Sequence, residues 1–111
     1  DYEAGKIGER EKEALQIQVR HWMQKAADQG HPTAQSELAS LWYFGIGGPQ
    51  DHARARHWYQ QAADQEDYTA ISRLARMCER GEGGPVDLPK AQALYEWLFE
   101  YFPLPEDHQA L

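Results

Sequence analysis

The residues of this 111-residue chain that could do chemistry are five histidines, one cysteine, three serines, two glycine-rich segments and a surplus of carboxylates. His21, His31, His52, His57 and His108 invite a metal reading. Tight ligand sets space their donors in pairs, as in His-Glu-x-x-His or Cys-x-x-Cys, and no such pairing occurs here. The segments Gly45-Ile46-Gly47-Gly48-Pro49 and Gly81-Glu82-Gly83-Gly84-Pro85 invite a phosphate reading, because glycine backbones at a helix start can cradle an anion. Neither is followed by Lys-Ser or Lys-Thr, and each leads into Asp51 or Asp87, whose charge repels phosphate. Turns that need positive φ explain these glycines better. Ser36, Ser40 and Ser72 lack a glycine-framed nucleophile elbow and a His-Asp pair. Glu9, Glu11, Glu13, Asp64, Glu66 and Asp67 fall at helix ends in polar surroundings, with nothing to tune one as a general acid. The expectation is therefore no catalytic set, no metal and no cofactor.

The elements that position these residues come from an internal repeat. Arg20-His21-Trp22 returns as Arg56-His57-Trp58, and sliding residues 20–51 onto 56–87 gives identity at 18 of 32 positions, an offset of 36. Cys78 then takes the place of Trp42, where a small buried thiol is expected to be inert. Within each repeat the apolar spacing is helical: Ala34, Leu38, Leu41 and Trp42 share one face, as do Ala55, Trp58, Tyr59, Ala62 and Ala63. Pro32, Asp51, Asp67 and Asp87 mark helix starts, and Gly30, Gly45 and Gly81 mark ends. The pattern predicts helices at about 8–29, 32–44, 52–65, 67–80 and 88–101.

Composition sets the class. Hydrophobic residues make up 41 % and charged residues 26 %, so the chain can bury a modest core as one domain. A net charge of -7 argues against nucleic acid as a partner, and no apolar run approaches the ~20 residues of a membrane span. A single cysteine says nothing of compartment.

The residues Ala34, Leu38, Trp42, Gly45, Gly47, Asp51, Ala55, Trp58, Tyr59, Ala62 and Ala63 stand in an order that resembles the Sel1-like repeat, a relative of the tetratricopeptide repeat. The likeness covers about residues 14–99, and the chain departs from the pattern at Ala39 and Ala75, Pro49 and Pro85, and Glu66. The resemblance implies an all-α, right-handed α-α superhelix. Its units are an incomplete one over about 14–31, a repeat over 32–67, a second over 68–103 with a C-terminal cap, and a tail over 104–111. Bulky Trp97, Leu98, Phe99, Tyr101 and Phe102 suit the cap. Gly5, Ile7 and Gly8 stand in an order similar to the repeat loop, as if the chain opened inside a truncated repeat. Trp22 and Trp58 are expected in the core, with Trp58→Ala costing about 3–5 kcal/mol.

By the same resemblance the function implied is a protein-interaction module or adaptor that binds a protein or peptide. Bacterial members serve as envelope or secretion-system regulators or as toxin-immunity proteins, and are often exported. A structural segment of a longer repeat protein is the other implied role. The paired cysteines of relatives linked to β-lactam binding are missing. Packing like that of tetratricopeptide repeats turns the first helix of each pair toward a concave groove. It places there Thr33, Ser36, Ser40, Tyr43 and Phe44 from one repeat and Thr69, Ser72, Arg76, Glu79 and Arg80 from the next. Such a groove is aromatic at one end and basic at the other, which suits a partner segment combining an acidic group with an apolar side chain. Oligomeric state is left open.

Overall fold

The computed structural model describes the backbone of residues 2–101 and the side chains of 8–101. Five helices follow one another: α1 (Tyr2–Asp28), α2 (Pro32–Phe44), α3 (His52–Ala63), α4 (Tyr68–Arg80) and α5 (Leu88–Tyr101). No strand occurs among the described residues. Each helix packs mainly on its neighbours in the chain, which is the one-dimensional arrangement of an all-α solenoid. The tail at 104–111, Phe102 and His108 lie outside the described residues. Helix α1 begins at Tyr2, so the segment with Gly5 and Gly8 is the start of a long helix and not a repeat loop.

The ends of the helices follow from their sequences. Asp51, Asp67 and Asp87 each accept a hydrogen bond from a backbone N–H three residues on, at 3.0, 3.0 and 3.1 Å. Gly45 and Gly81 adopt left-handed φ of 69° and 74° and close α2 and α4. Helix α3 stops at Ala63, two residues earlier than its periodicity predicts. The turn that follows forces Glu66 to φ 62°, a conformation that a continued helix could not supply.

The core is built from small residues and a few large ones. Ala39, Ala55, Ala62, Ala70, Ala75 and Ala91 let helix axes approach, while Tyr59, Leu74, Met77 and Cys78 fill the space between them. Tyr59 is 1 % exposed, and its hydroxyl lies 2.6 Å from Ser40 Oγ, so its polar tip is satisfied. Trp58 is half-buried against this core and leans over the α1–α2 turn beside Ala27 and Gln35. Trp22, at the equivalent position, departs from expectation: it is 62 % exposed. Its ring meets Lys25 Nζ at 4.8 Å.

The glycine-rich loops are saddles for the preceding helix. A Cβ on Gly47 would collide with the carbonyl of Gln16, and one on Gly83 with the carbonyl of His52. A Cβ on Gly48 would lie 2.6 Å from Arg20 Nη1, and one on Gly84 2.9 Å from Arg56 Nη1. These arginines clamp the loops. Arg20 donates to the carbonyls of Leu41 (2.8 Å), Ile46 (3.0 Å) and Pro49 (3.1 Å) and stacks on Trp42. Arg56 donates to the carbonyl of Glu82 at 3.2 Å and to Cys78 Sγ at 3.4 Å. A loop whose inner face is held by a guanidinium and a helix backbone has a structural occupant where a phosphate would need to sit.

Candidate partner-binding site

Helices α2 and α4 flank a groove floored by α3, and side chains from both helices meet over two hollows. The first, of about 160 Å³, is lined by Tyr43 and Phe44 from α2, Tyr59 from α3, Arg73, Arg76 and Met77 from α4, and Glu82 from the following loop. The second, of about 220 Å³, is lined by Thr33, Ser36, Glu37 and Ser40 from α2 with Asp67 and Thr69. The periodicity accounts for the pairing. Residues 36, 40 and 43–44 fall on one face of α2, and 69, 73 and 76–77 on the facing side of α4.

Seven of the ten predicted residues line these two hollows. Tyr43, Phe44 and Arg76 share the first, and Thr33, Ser36, Ser40 and Thr69 share the second. Ser36 differs from expectation in being buried, at 5 % exposure, because α3 packs close beneath it. Ser40 is tied inward to Tyr59 and to the Ser36 carbonyl. Ser72 lines neither hollow and returns its hydroxyl to the Thr69 carbonyl at 3.0 Å. Glu79 also departs from the groove. It accepts a hydrogen bond from Tyr95 at 2.9 Å and lies on the α5 side of α4, since six residues of helix carry it about 120° round the axis from Arg73. Arg80 is exposed near Tyr43, whose phenol feels its charge.

Three residues lining the first hollow are not among the predicted ones: Arg73, Met77 and Glu82. Arg73 was legible, because it lies one helical turn before Arg76. Glu82 was not, because its place is set by the loop's return over α4. Its Oε2 accepts from the Tyr43 hydroxyl at 2.6 Å, which joins the end of α2 to the second repeat loop. Tyr43 also stacks on His52, with ring centroids 4.4 Å apart, and meets Phe44 edge-on at 4.9 Å. The hydrogen bond to Glu82, aided by burial, raises the Tyr43 phenol above its ordinary range. Burial raises that of Tyr59, partly offset by Ser40.

Arg73, Arg76 and Arg80 form no ion pair or hydrogen bond among the described residues, where the one ion pair joins exposed Arg54 to Asp51 at 3.5 Å. No group of three or more histidine, cysteine or acidic side chains there could hold a metal ion. His21 and His57 are exposed beside their neighbouring tryptophans, and Cys78 is buried and free. No helix among the described residues is long and apolar enough to cross a membrane.

The Sel1 repeat model matches residues 20–31, 32–67 and 69–96. The chain belongs to the Sel1 repeat family. Solved structures that share the fold include the following two. A Sel1 repeat protein from Oxalobacter formigenes is 32 % identical with a TM-score of 0.71, the match covering 73 % of this chain and 23 % of that one. A protective antigen present in uropathogenic Escherichia coli strains, displaying an SLR fold, is 28 % identical with a TM-score of 0.75, over 78 % of this chain and 18 % of that one. This Sel1 chain thus spans about a fifth of the length of these relatives. No protein of curated function matches the sequence. Sel1 repeats generally act as scaffolds for protein interaction.

Proposed function

We propose that this Sel1 chain is a protein-interaction module that holds a protein or peptide segment in the groove between α2 and α4. One observation carries the reading: Tyr43 and Phe44 from α2 and Arg73 and Arg76 from α4 converge on one opening. Aromatic and arginine side chains are the residue types that supply most binding energy at protein interfaces. Phe44 is 56 % exposed, so it remains available to a partner. The chain's place as an envelope or secretion-system regulator, or as a toxin-immunity protein, would use the same groove.

The test compares partners captured from the source cell by wild type and by Phe44→Ser combined with Arg76→Glu, both checked for helicity by circular dichroism. Loss of specific partners from the folded variant is expected. Retention of the same partners at the same affinity would refute the groove.

A second reading, a structural segment of a longer repeat array, is favoured by the two end helices. Leu15, Val19 and Trp22 are exposed on α1, and Leu88, Tyr95 and Phe99 on α5, where a continuing stack would cover them. Other large apolar residues of α5, Leu94, Trp97 and Leu98, are half-buried.

A further inference from the structure

The cavity between Tyr43 and Arg76 has a size, a lining and a charge that together define its occupant. We infer that it takes a single aromatic or leucine side chain whose nearest acidic neighbour on the same partner segment is held by Arg73 and Arg76. This rests on the groove reading above and names its ligand. The size argument is direct. An enclosed apolar cavity of about 150 Å³ accepts a benzene-sized ring, and this hollow, open on one side and edged by Arg73, Arg76 and Glu82, has a similar volume of about 160 Å³. Its walls suit such a ring: Tyr43 and Phe44 stand edge to face on one side, with Met77 and Tyr59 beneath.

The charge argument is independent of size. In a chain of net charge -7, Arg73, Arg76 and Arg80 bring three positive charges to one stretch of α4. These three have no carboxylate partner among the described residues. Two carboxylates stand near. Glu79 is engaged by Tyr95 on the α5 side. Glu82 lines the cavity itself, with Oε2 accepting from Tyr43 and Oε1 buried, so its charge opposes an acidic ligand on that wall and leaves the open guanidinium groups of Arg73 and Arg76 as the wall that attracts one. Arg80 extends the positive edge one turn further and steers an acidic segment along α4.

A fragment pair separates the two components. 3-Phenylpropionate carries the ring and the carboxylate, and 3-phenylpropanamide carries the ring alone. Titrated into isotope-labelled protein, the acid is expected to shift the Met77 methyl and the Tyr43 and Phe44 ring signals with a Kd on the order of millimolar. The amide is expected to bind at the same signals about fivefold more weakly, the loss of one exposed charge pair. Arg73→Gln with Arg76→Gln should abolish the difference. Arg10→Gln, on the exposed face of α1, should leave it unchanged. Equal binding of acid and amide, shifts centred on Leu88, Tyr95 and Phe99 instead of Met77, or no binding of either fragment would each overturn the inference. Its failure is distinguishable from that of the groove reading: partner capture could still depend on Phe44 with no carboxylate preference, and the preference could stand with partner capture unaffected.

Discussion

Gly83→Ala should be one of the most damaging small changes in the protein, and Gly30→Ala offers a matched control. Both glycines have left-handed backbones, with φ of 70° and 90°, so alanine costs each about 1–2 kcal/mol of backbone strain. Alanine also restricts the unfolded chain, which returns about 0.4–1 kcal/mol in both cases. The two sites differ in what a Cβ would meet. At Gly30 there is open space, whereas at Gly83 the carbonyl of His52 is in the way, and it belongs to the first turn of α3. A backbone neighbour cannot rotate aside, so the loop and α3 must separate, an overpacking cost of about 1–3 kcal/mol. Gly30→Ala should therefore lose about 1 kcal/mol and Gly83→Ala about 2–4 kcal/mol. At roughly 4–8 °C per kcal/mol for a domain of this size, melting curves should separate clearly. Urea denaturation followed by far-UV circular dichroism and by tryptophan fluorescence would measure both and show whether the repeats unfold together. Equal losses at the two sites would mean that Gly83 is needed only for its φ, and would refute the saddle reading of both loops.

Three further outcomes follow from single residues. Glu66→Gly should raise stability by up to about 1 kcal/mol, because Glu66 holds φ 62° with no compensating side-chain bond, and unchanged urea midpoints would contradict that. Trp58→Ala should cost about 2 kcal/mol, less than a fully buried tryptophan would lose, while Trp22→Ala should change stability by under about 0.5 kcal/mol, both read from melting curves. Tyr59 is held neutral above its ordinary pKa by burial, so its contribution is complete below about pH 10 and is lost as pH rises toward its folded value; Tyr59→Phe should flatten a slope of at most about 1.4 kcal/mol per pH unit in alkaline denaturation.

The helices were legible because their signals are local. Asp51, Asp67 and Asp87 cap, Gly45 and Gly81 terminate, and α2 starts and stops and α5 starts where those signals lie. What was not legible depends on the next unit in the stack. Trp22 and Trp58 sit in the same Arg-His-Trp motif, yet among the described residues Trp58 leans over the α1–α2 turn while Trp22 is exposed. The loop glycines read correctly as turn formers, but their second duty, admitting the backbone of the preceding helix, joins residues 31 positions apart and leaves no mark in spacing. In the groove, Tyr43, Phe44 and Arg76 were placed together by the resemblance to tetratricopeptide packing, whereas Glu82 and the inward turn of Ser36 required the loop and α3 in position.

The two repeats also separate support from recognition without any second protein for comparison. Positions identical at the 36-residue offset hold the stack: the clamps Arg20 and Arg56, the saddles Gly47 and Gly83, the caps Asp51 and Asp87, the packing pairs Ala39 and Ala75. Four of the positions that differ in chemistry contribute to the first cavity or its edge in the second repeat. Glu37 becomes Arg73, Ser40 becomes Arg76, Phe44 becomes Arg80 and Ile46 becomes Glu82. The arginines of α4 are thus replaceable as far as the helix is concerned, since the first repeat folds with a glutamate and a serine in the same places. Arg73→Glu combined with Arg76→Ser, which writes the first repeat's residues into the second, should leave thermal stability within about 0.5 kcal/mol of wild type. It should at the same time reverse the preference of the cavity from the carboxylate fragment to its amide. A large loss of stability would show that the arginines brace the second repeat, and would return them to the structural side of the division.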